Sequence, residues 1–108
     1  MATYTPWGAS SYSEQHFKGF VTYCTPSHGG VKVAANNYKY LSEYTIKKGL
    51  TYKSAPGLWY EEDMDYILPL YELYKVPEFA EKLKERYKRP TLEQVKQWFP
   101  DYDDIQDR

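Results

Sequence analysis

Residues 16–35 read HFKGFVTYCTPSHGGVKVAA, and the fold class turns on how this stretch is read. Residues 16–24 are apolar and β-branched and predict a strand. Phe20, Thr22 and Cys24 would share one face with Lys18, and Val21 and Tyr23 the other. Gly19 marks a candidate bulge within it. Residues 25–30 (TPSHGG) predict a turn, because Pro26 fixes one dihedral and Gly29 and Gly30 permit positive φ. Residues 31–35 (VKVAA) predict a second strand. The six-residue connection favours an antiparallel pair with a structured loop.

Upstream, residues 1–15 read as a non-repetitive arm. Pro6 and Gly8 interrupt it, and Trp7 is expected to be anchored rather than free. Downstream, Asn36 and Asn37 predict another turn. Residues 38–55 fit a strand through Tyr38, Tyr40, Tyr44 and Ile46, or a helical turn through Tyr40, Leu41 and Tyr44. Leu58, Trp59 and Tyr60 form a short apolar run.

From Glu61 the period becomes helical. Met64, Ile67, Leu68, Tyr71 and Tyr74 make one apolar stripe. Glu61, Glu62 and Asp63 would occupy the first turn, where the helix dipole favours carboxylates. Pro69 predicts a kink. Pro77 suits the first turn of a second helix over 77–88, with Phe79, Ala80, Leu83 and Tyr87 inward. Thr91 and Gln94 form a candidate capping box for a third helix over 91–99, with Leu92, Val95, Trp98 and Phe99 inward. The acidic residues 101–108 read as a loose tail. The expected fold is α+β: a single domain over 1–108, with a small antiparallel sheet in the N-terminal half against about three C-terminal helices.

Composition narrows the function classes. With one cysteine, Cys24, among 108 residues, a disulfide scaffold and a Cys-based zinc site are both excluded. No apolar run is long enough to span a bilayer, so no membrane partner is expected. The opening MATYTPWGAS has neither a basic start nor an apolar core, so no secretory signal is expected, and the location would be cytoplasmic. Residues 1–60 carry six lysines against Glu14 and Glu43, a net of +4, while residues 61–108 net −5. Two faces of opposite sign would follow, one of them suited to a charged partner. Thirteen tyrosines, three tryptophans and four phenylalanines exceed what so small a core can hide, which favours a contact surface.

Three stretches, TPWG (residues 5–8), TPSHGG (25–30) and WYEED (59–63), together resemble a domain of unknown function seen in bacteriophages and other mobile elements. The resemblance extends to Trp98, Phe99, Pro100, Asp101 and Tyr102, an aromatic pair before Pro-Asp. The chain departs from that pattern at Met64, Asp65 and Tyr66, where the family has a cysteine followed by Asp-Trp, and in the Lys/Tyr-rich residues 38–55. The resemblance implies a phage or mobile-element origin and brings no activity with it.

Ser27, His28, Gly29 and Gly30 present closely spaced backbone N–H groups, a nest able to hold an anion. Its simplest use is structural, receiving the acidic cluster Glu61, Glu62 and Asp63. Its alternative use is as a ligand or anion site. His28 beside those carboxylates is the candidate acid/base, although no nucleophile accompanies it. Cys24 reads as a small buried hydrophobe, and His16 as an exposed or capping residue. Tyr38, Lys39, Tyr40, Tyr44, Lys47, Lys48, Tyr52 and Lys53 interleave aromatic and basic groups, which suits stacking against a nucleotide or single-stranded nucleic acid. The same lysines would also protect a sheet edge.

These features point to a small non-enzymatic binder, with no catalytic residues, metal or cofactor, that blocks a host protein such as a defence effector. The alternatives are a nucleotide- or small-ligand-binding protein using the TPSHGG loop, and a small enzyme with His28 as acid/base. A homodimer is compatible with the exposed tyrosines.

Overall fold

The computed structural model describes residues 4–52 and 55–103. Two short antiparallel strands open it, β1 (Tyr4–Thr5) and β2 (Gly8–Ala9). Thr5 Oγ1 closes the turn between them by donating to the Gly8 carbonyl at 2.8 Å and accepting from the Trp7 N–H at 3.1 Å. The arm is therefore a small hairpin.

Residues 16–24 are not one strand. They are split between β3 (Tyr12–Phe17) and β4 (Phe20–Cys24), which pair antiparallel. Gly19 makes the turn between them with φ of +88°, and a Cβ there would lie 2.4 Å from Asn36 Oδ1. The irregularity lies elsewhere. Gln15 opposes Val21 and Phe17 opposes Phe20, so His16 has no residue opposite it. β5 (Gly29–Val33) begins within TPSHGG, whose two glycines pair with Cys24 and Tyr23 instead of turning, and β6 (Leu58–Glu61) closes the sheet in the order β3-β4-β5-β6, antiparallel throughout.

Between β5 and β6, two stretches within 35–48 are helical, and Leu50 then forms an antiparallel bridge with Trp59. A 3₁₀ helix covers Ala35–Tyr40, where a simple turn was expected, and α1 covers Glu43–Lys48. Asn36 and Asn37 each donate through Nδ2 to the Lys18 carbonyl, fastening the 3₁₀ helix to the β3–β4 turn. Ser42 caps α1 by accepting from the Thr45 N–H. Lys53 and residues 104–108 lie outside the described residues, but the start of the expected loose tail is held in place: Tyr102 is 1 % exposed, with its N–H on the Phe99 carbonyl and its hydroxyl on Glu72.

Glu61 belongs to β6 rather than to a helix. It opposes Gly30, and the next residue, Glu62, donates its N–H to the Gly29 carbonyl at 2.9 Å. Pairing with β5 holds in the sheet residues that local pattern assigned to a helix start. Met64 consequently falls in the following turn and is 38 % exposed. Helix α2 begins only at Ile67 and runs to Leu73. That shift places Pro69 in the first turn, where its missing N–H has no intrahelical partner to lose, and the helix passes through it unbroken. α3 (Pro77–Leu83) has Pro77 in its first turn and ends earlier than expected, loosening into turns over 84–86. α4 (Leu92–Trp98) carries the full Thr91/Gln94 capping box. Trp98, expected inward, is 54 % exposed; Phe99, just past the helix end, is the aromatic that turns in.

The sheet has two differently used faces. Phe20, Val31, Val33, Leu58 and Tyr60 face the helices and pack with Leu41, Leu70, Leu73, Tyr74 and Leu83. Each buried aliphatic side chain contributes roughly 1.5–3 kcal/mol relative to exposure. Leu68, Tyr71, Val95, Phe99 and Tyr102 make a second cluster among α2, α4 and the chain beyond. Between the two clusters lies Glu72, 1 % exposed. Its carboxylate accepts from the Ser42 N–H at 2.8 Å, the Ser42 hydroxyl at 2.6 Å and the Tyr102 hydroxyl at 2.5 Å.

The outer face is covered by the N-terminal hairpin. Trp7 stands edge-on to Trp59 with ring centroids 5.9 Å apart, and Tyr23 packs on the same indole at 5.2 Å. Trp59 Nε1 donates to the Ala55 carbonyl, and Lys32 Nζ lies over its ring. A Cβ on Gly30 would sit 2.2 Å from the Tyr60 carbonyl oxygen and 2.4 Å from Trp7 Cη2, so only glycine admits the indole here. Among the described residues no helix is long and apolar enough to cross a membrane.

Candidate functional site

The break in strand register at His16 re-aims side chains. A strand alternates, so His16 and Phe17 should face opposite ways. An extra residue in one strand bends it and turns a side chain toward the other face. Phe17 stacks on Phe79 with centroids 4.0 Å apart, on the helix side. The His16 ring lies on that side too, 5.7 Å from Phe20 and 5.3 Å from Tyr87. Its side chain is 2 % exposed, so the expectation of a surface or capping histidine fails because the irregularity buries it.

His16 heads a chain of short hydrogen bonds. Its Nε2 is 2.6 Å from Thr22 Oγ1, which is 2.7 Å from the Tyr87 hydroxyl. Thr22 is central in β4 and 6 % exposed. Tyr87 is fixed from three sides: its N–H donates to the Leu83 carbonyl, its own carbonyl accepts from the Tyr74 hydroxyl, and its ring lies 5.9 Å from that of Tyr66. Behind His16, Glu14 Oε2 faces Nδ1 at 4.0 Å, while Glu14 Oε1 accepts from Arg86 Nε at 3.1 Å.

Thr22 and Tyr87 line a cleft of about 200 Å³, together with Cys24, Gly30, Val31, Glu62, Tyr66 and Arg86. A second cleft of about 350 Å³ adjoins it, lined by Leu70, Lys88, Arg89, Pro90, Thr91 and Gln94 among others. Tyr66 and Tyr87 belong to both. Cys24, expected to be a buried hydrophobe, is only half-buried on this cleft's wall.

The sequence candidates divide. Gly29 and Gly30 do meet the acidic cluster, as the Glu62–Gly29 backbone bond and the Glu61–Gly30 register show. The contact is a sheet seam in which the loop supplies the acceptor. The His28 N–H is taken by Thr25 Oγ1, and the His28 carbonyl accepts from the Thr25 N–H and hydroxyl. Ser27 and His28 are exposed at the loop tip, and the His28 ring makes no hydrogen bond or ion pair with Glu61, Glu62 or Asp63 among the described residues. The aromatic–basic residues are spread out. Tyr38 and Tyr40 pack on the main core, and Tyr44 packs on Phe99 and Tyr102 and donates to Asp101. Lys39 lies over Tyr40, and Lys48 over Tyr44 and Phe99, while Lys47 pairs with Glu43 on the surface. Tyr52 is 36 % exposed. Lys39 and Lys48 thus cover tyrosines whose rings the fold already uses. Among the described residues no group of three His, Cys, Asp or Glu is placed to hold a metal.

Burial holds the His16 pKa below its usual value; Glu14 opposes that shift and Arg86 adds to it. Burial likewise pushes the Tyr87 phenol up, so it stays protonated at neutral pH. A histidine with a depressed folded pKa takes its proton later than the unfolded chain does as pH falls. Its contribution is fully present above the unfolded value of about 6.5 and is lost as pH drops through the folded pKa. Wild-type stability in urea is therefore expected to fall more between pH 7 and 5 than that of His16→Gln. Parallel pH profiles for the two proteins would contradict the assignment.

The model of a domain of unknown function, DUF7007, matches residues 1–108, and the chain belongs to that family. No curated protein and no solved structure matches the chain significantly.

Proposed function

We propose that this member of the DUF7007 family is a non-enzymatic domain that binds a small anionic ligand carrying a flat ring, of the nucleotide class. The observation that carries the reading is the pair of clefts sharing Tyr66 and Tyr87 as a common wall, with Arg86 on one side and Lys88 and Arg89 on the other. Aromatic walls suit a ring, and exposed cations suit a phosphate. The combined size suits a mononucleotide better than a polymer. The proposed ligand seat is thus not the TPSHGG tip but the inner face of β4 and β5 beside it, where Cys24 and Gly30 form part of the wall.

Titration calorimetry with AMP, ADP and cyclic mononucleotides tests this. Binding is expected to weaken with added salt, and Lys88→Glu/Arg89→Glu is expected to lower affinity about tenfold or more by charge reversal. No heat at millimolar nucleotide, from a protein shown to be folded, would end the reading.

A second reading is that the domain is carried by a phage or mobile element and occupies the surface of a host protein. It is favoured by Trp98, which stands 54 % exposed near Asp101 and Asp103. Exposed indoles of this kind act as interface anchors. Trp98→Ala would then abolish capture of one host protein while leaving nucleotide binding intact.

A further inference from the structure

We propose that the chain His16–Thr22–Tyr87 sets the hydrogen-bonding polarity of the inner cleft, so that at neutral pH it selects a ligand end bearing an N–H or O–H donor, and that protonating His16 reverses this preference. The proposal rests on the cleft reading above and specifies the ligand's inner end.

The direction of the chain follows from what stands behind it. In a neutral imidazole one ring nitrogen carries the proton, and its surroundings decide which. Glu14 Oε2 faces Nδ1 at 4.0 Å and favours the proton there. Nε2 then offers only a lone pair, so at 2.6 Å it must accept from the Thr22 hydroxyl. Having given its proton to His16, Thr22 Oγ1 must accept from the Tyr87 hydroxyl at 2.7 Å. The Tyr87 oxygen has then spent its one proton inward and presents lone pairs to the cleft. Glu62, on the same wall, is a second acceptor. The cleft's guanidinium, Arg86, already has its Nε engaged by Glu14. The inner end is thus rich in acceptors, which matches a donor on the ligand.

Protonation inverts each step. Imidazolium is a donor at both nitrogens. Nε2–H then donates to Thr22, Thr22 donates to Tyr87, and the phenol proton turns outward into the cleft. No covalent bond is made; one proton enters at His16 and two hydroxyl rotors flip. The groups facing His16 are Glu14 on its own strand, Thr22 and Phe20 from β4, and Tyr87 and Arg86 beyond α3.

Two measurements on the intact 108-residue chain test the idea. Long-range ¹⁵N–¹H spectra of the imidazole report the tautomer without any variant, and the Nδ1–H form is expected at pH 7.5. ¹⁹F spectra then compare 4-fluorophenol with 4-fluoroanisole, which differ in the single O–H. The phenol is expected to bind about fivefold tighter at pH 7.5, the worth of one hydrogen bond. That preference should shrink or invert as pH falls through the His16 titration. Thr22→Val should remove the pH dependence, and Thr22→Ser should retain it. An Nε2–H tautomer at pH 7.5 with both probes bound would overturn the polarity chain and leave the cleft standing. The Nδ1–H tautomer with neither probe bound would sink the cleft, and the selection with it.

Discussion

Glu72→Ala is expected to cost about 3–5 kcal/mol, because it strips the acceptor from several buried donors at once. Ser42 gives Glu72 both its N–H and its hydroxyl, and Tyr102 gives its hydroxyl. These donors come from the cap of α1 and from the chain beyond α4, so one carboxylate joins three regions distant in sequence. Removing it takes the carboxylate acceptor away from the Ser42 N–H and the Tyr102 hydroxyl in a site that is 1 % exposed. Glu72→Gln keeps one acceptor but turns an amide N–H₂ toward a donor, so a smaller loss, about 1–3 kcal/mol, is expected. Denaturant unfolding measures both. An alanine variant within about 1 kcal/mol of wild type would show that water replaces the carboxylate with little loss. The order Ala worse than Gln separates lost hydrogen bonds from a general intolerance of change at this position.

Gly30→Ala is expected to cost about 3 kcal/mol, at the upper end of what one added methyl does in a packed site. The new Cβ would fall 2.2 Å from the Tyr60 carbonyl and 2.4 Å from the Trp7 ring. The first obstacle is backbone of the adjoining strand, which cannot swing aside. The second is an indole wedged against Trp59. Relief requires β5 and β6 to part locally and Trp7 to leave its seat. Tryptophan emission should shift to longer wavelength in the variant, and the denaturation midpoint should fall. An unshifted spectrum with an unchanged midpoint would mean that the sheet adjusts freely at this point.

The same glycine shows what the sequence could disclose. TPWG, TPSHGG and WYEED are far apart in the chain, yet Trp7 lies on Gly30, Trp59 stands against Trp7, and Glu62 bonds to Gly29. The antiparallel pair joined through TPSHGG, the anchoring of Trp7, the Thr91 cap and the meeting of the loop with the acidic cluster were all legible, since each depends on short-range turn chemistry or a strong motif. Glu61 was misread because pairing with Gly30 outweighs its local helical preference. His16 was misread because a break in strand register leaves almost no mark on composition; only Gly19 hinted at irregularity, and it marks the turn instead. Glu72 was invisible because a glutamate in a helical stripe is assigned outward unless its distant partners are known. The cleft was missed for the same reason. Thr22, Glu62, Tyr66 and Tyr87 converge only after the helices have folded back on the sheet.

β3 is one of the sheet's two outer strands, flanked among the described residues by β4 alone. Regular outer strands offer evenly spaced amides and carbonyls on which a foreign strand can template itself. At His16 that spacing is interrupted one residue before the end of a six-residue strand. The residue that turns a ring toward the interior thereby also spoils the rim as a nucleus for amyloid-like stacking.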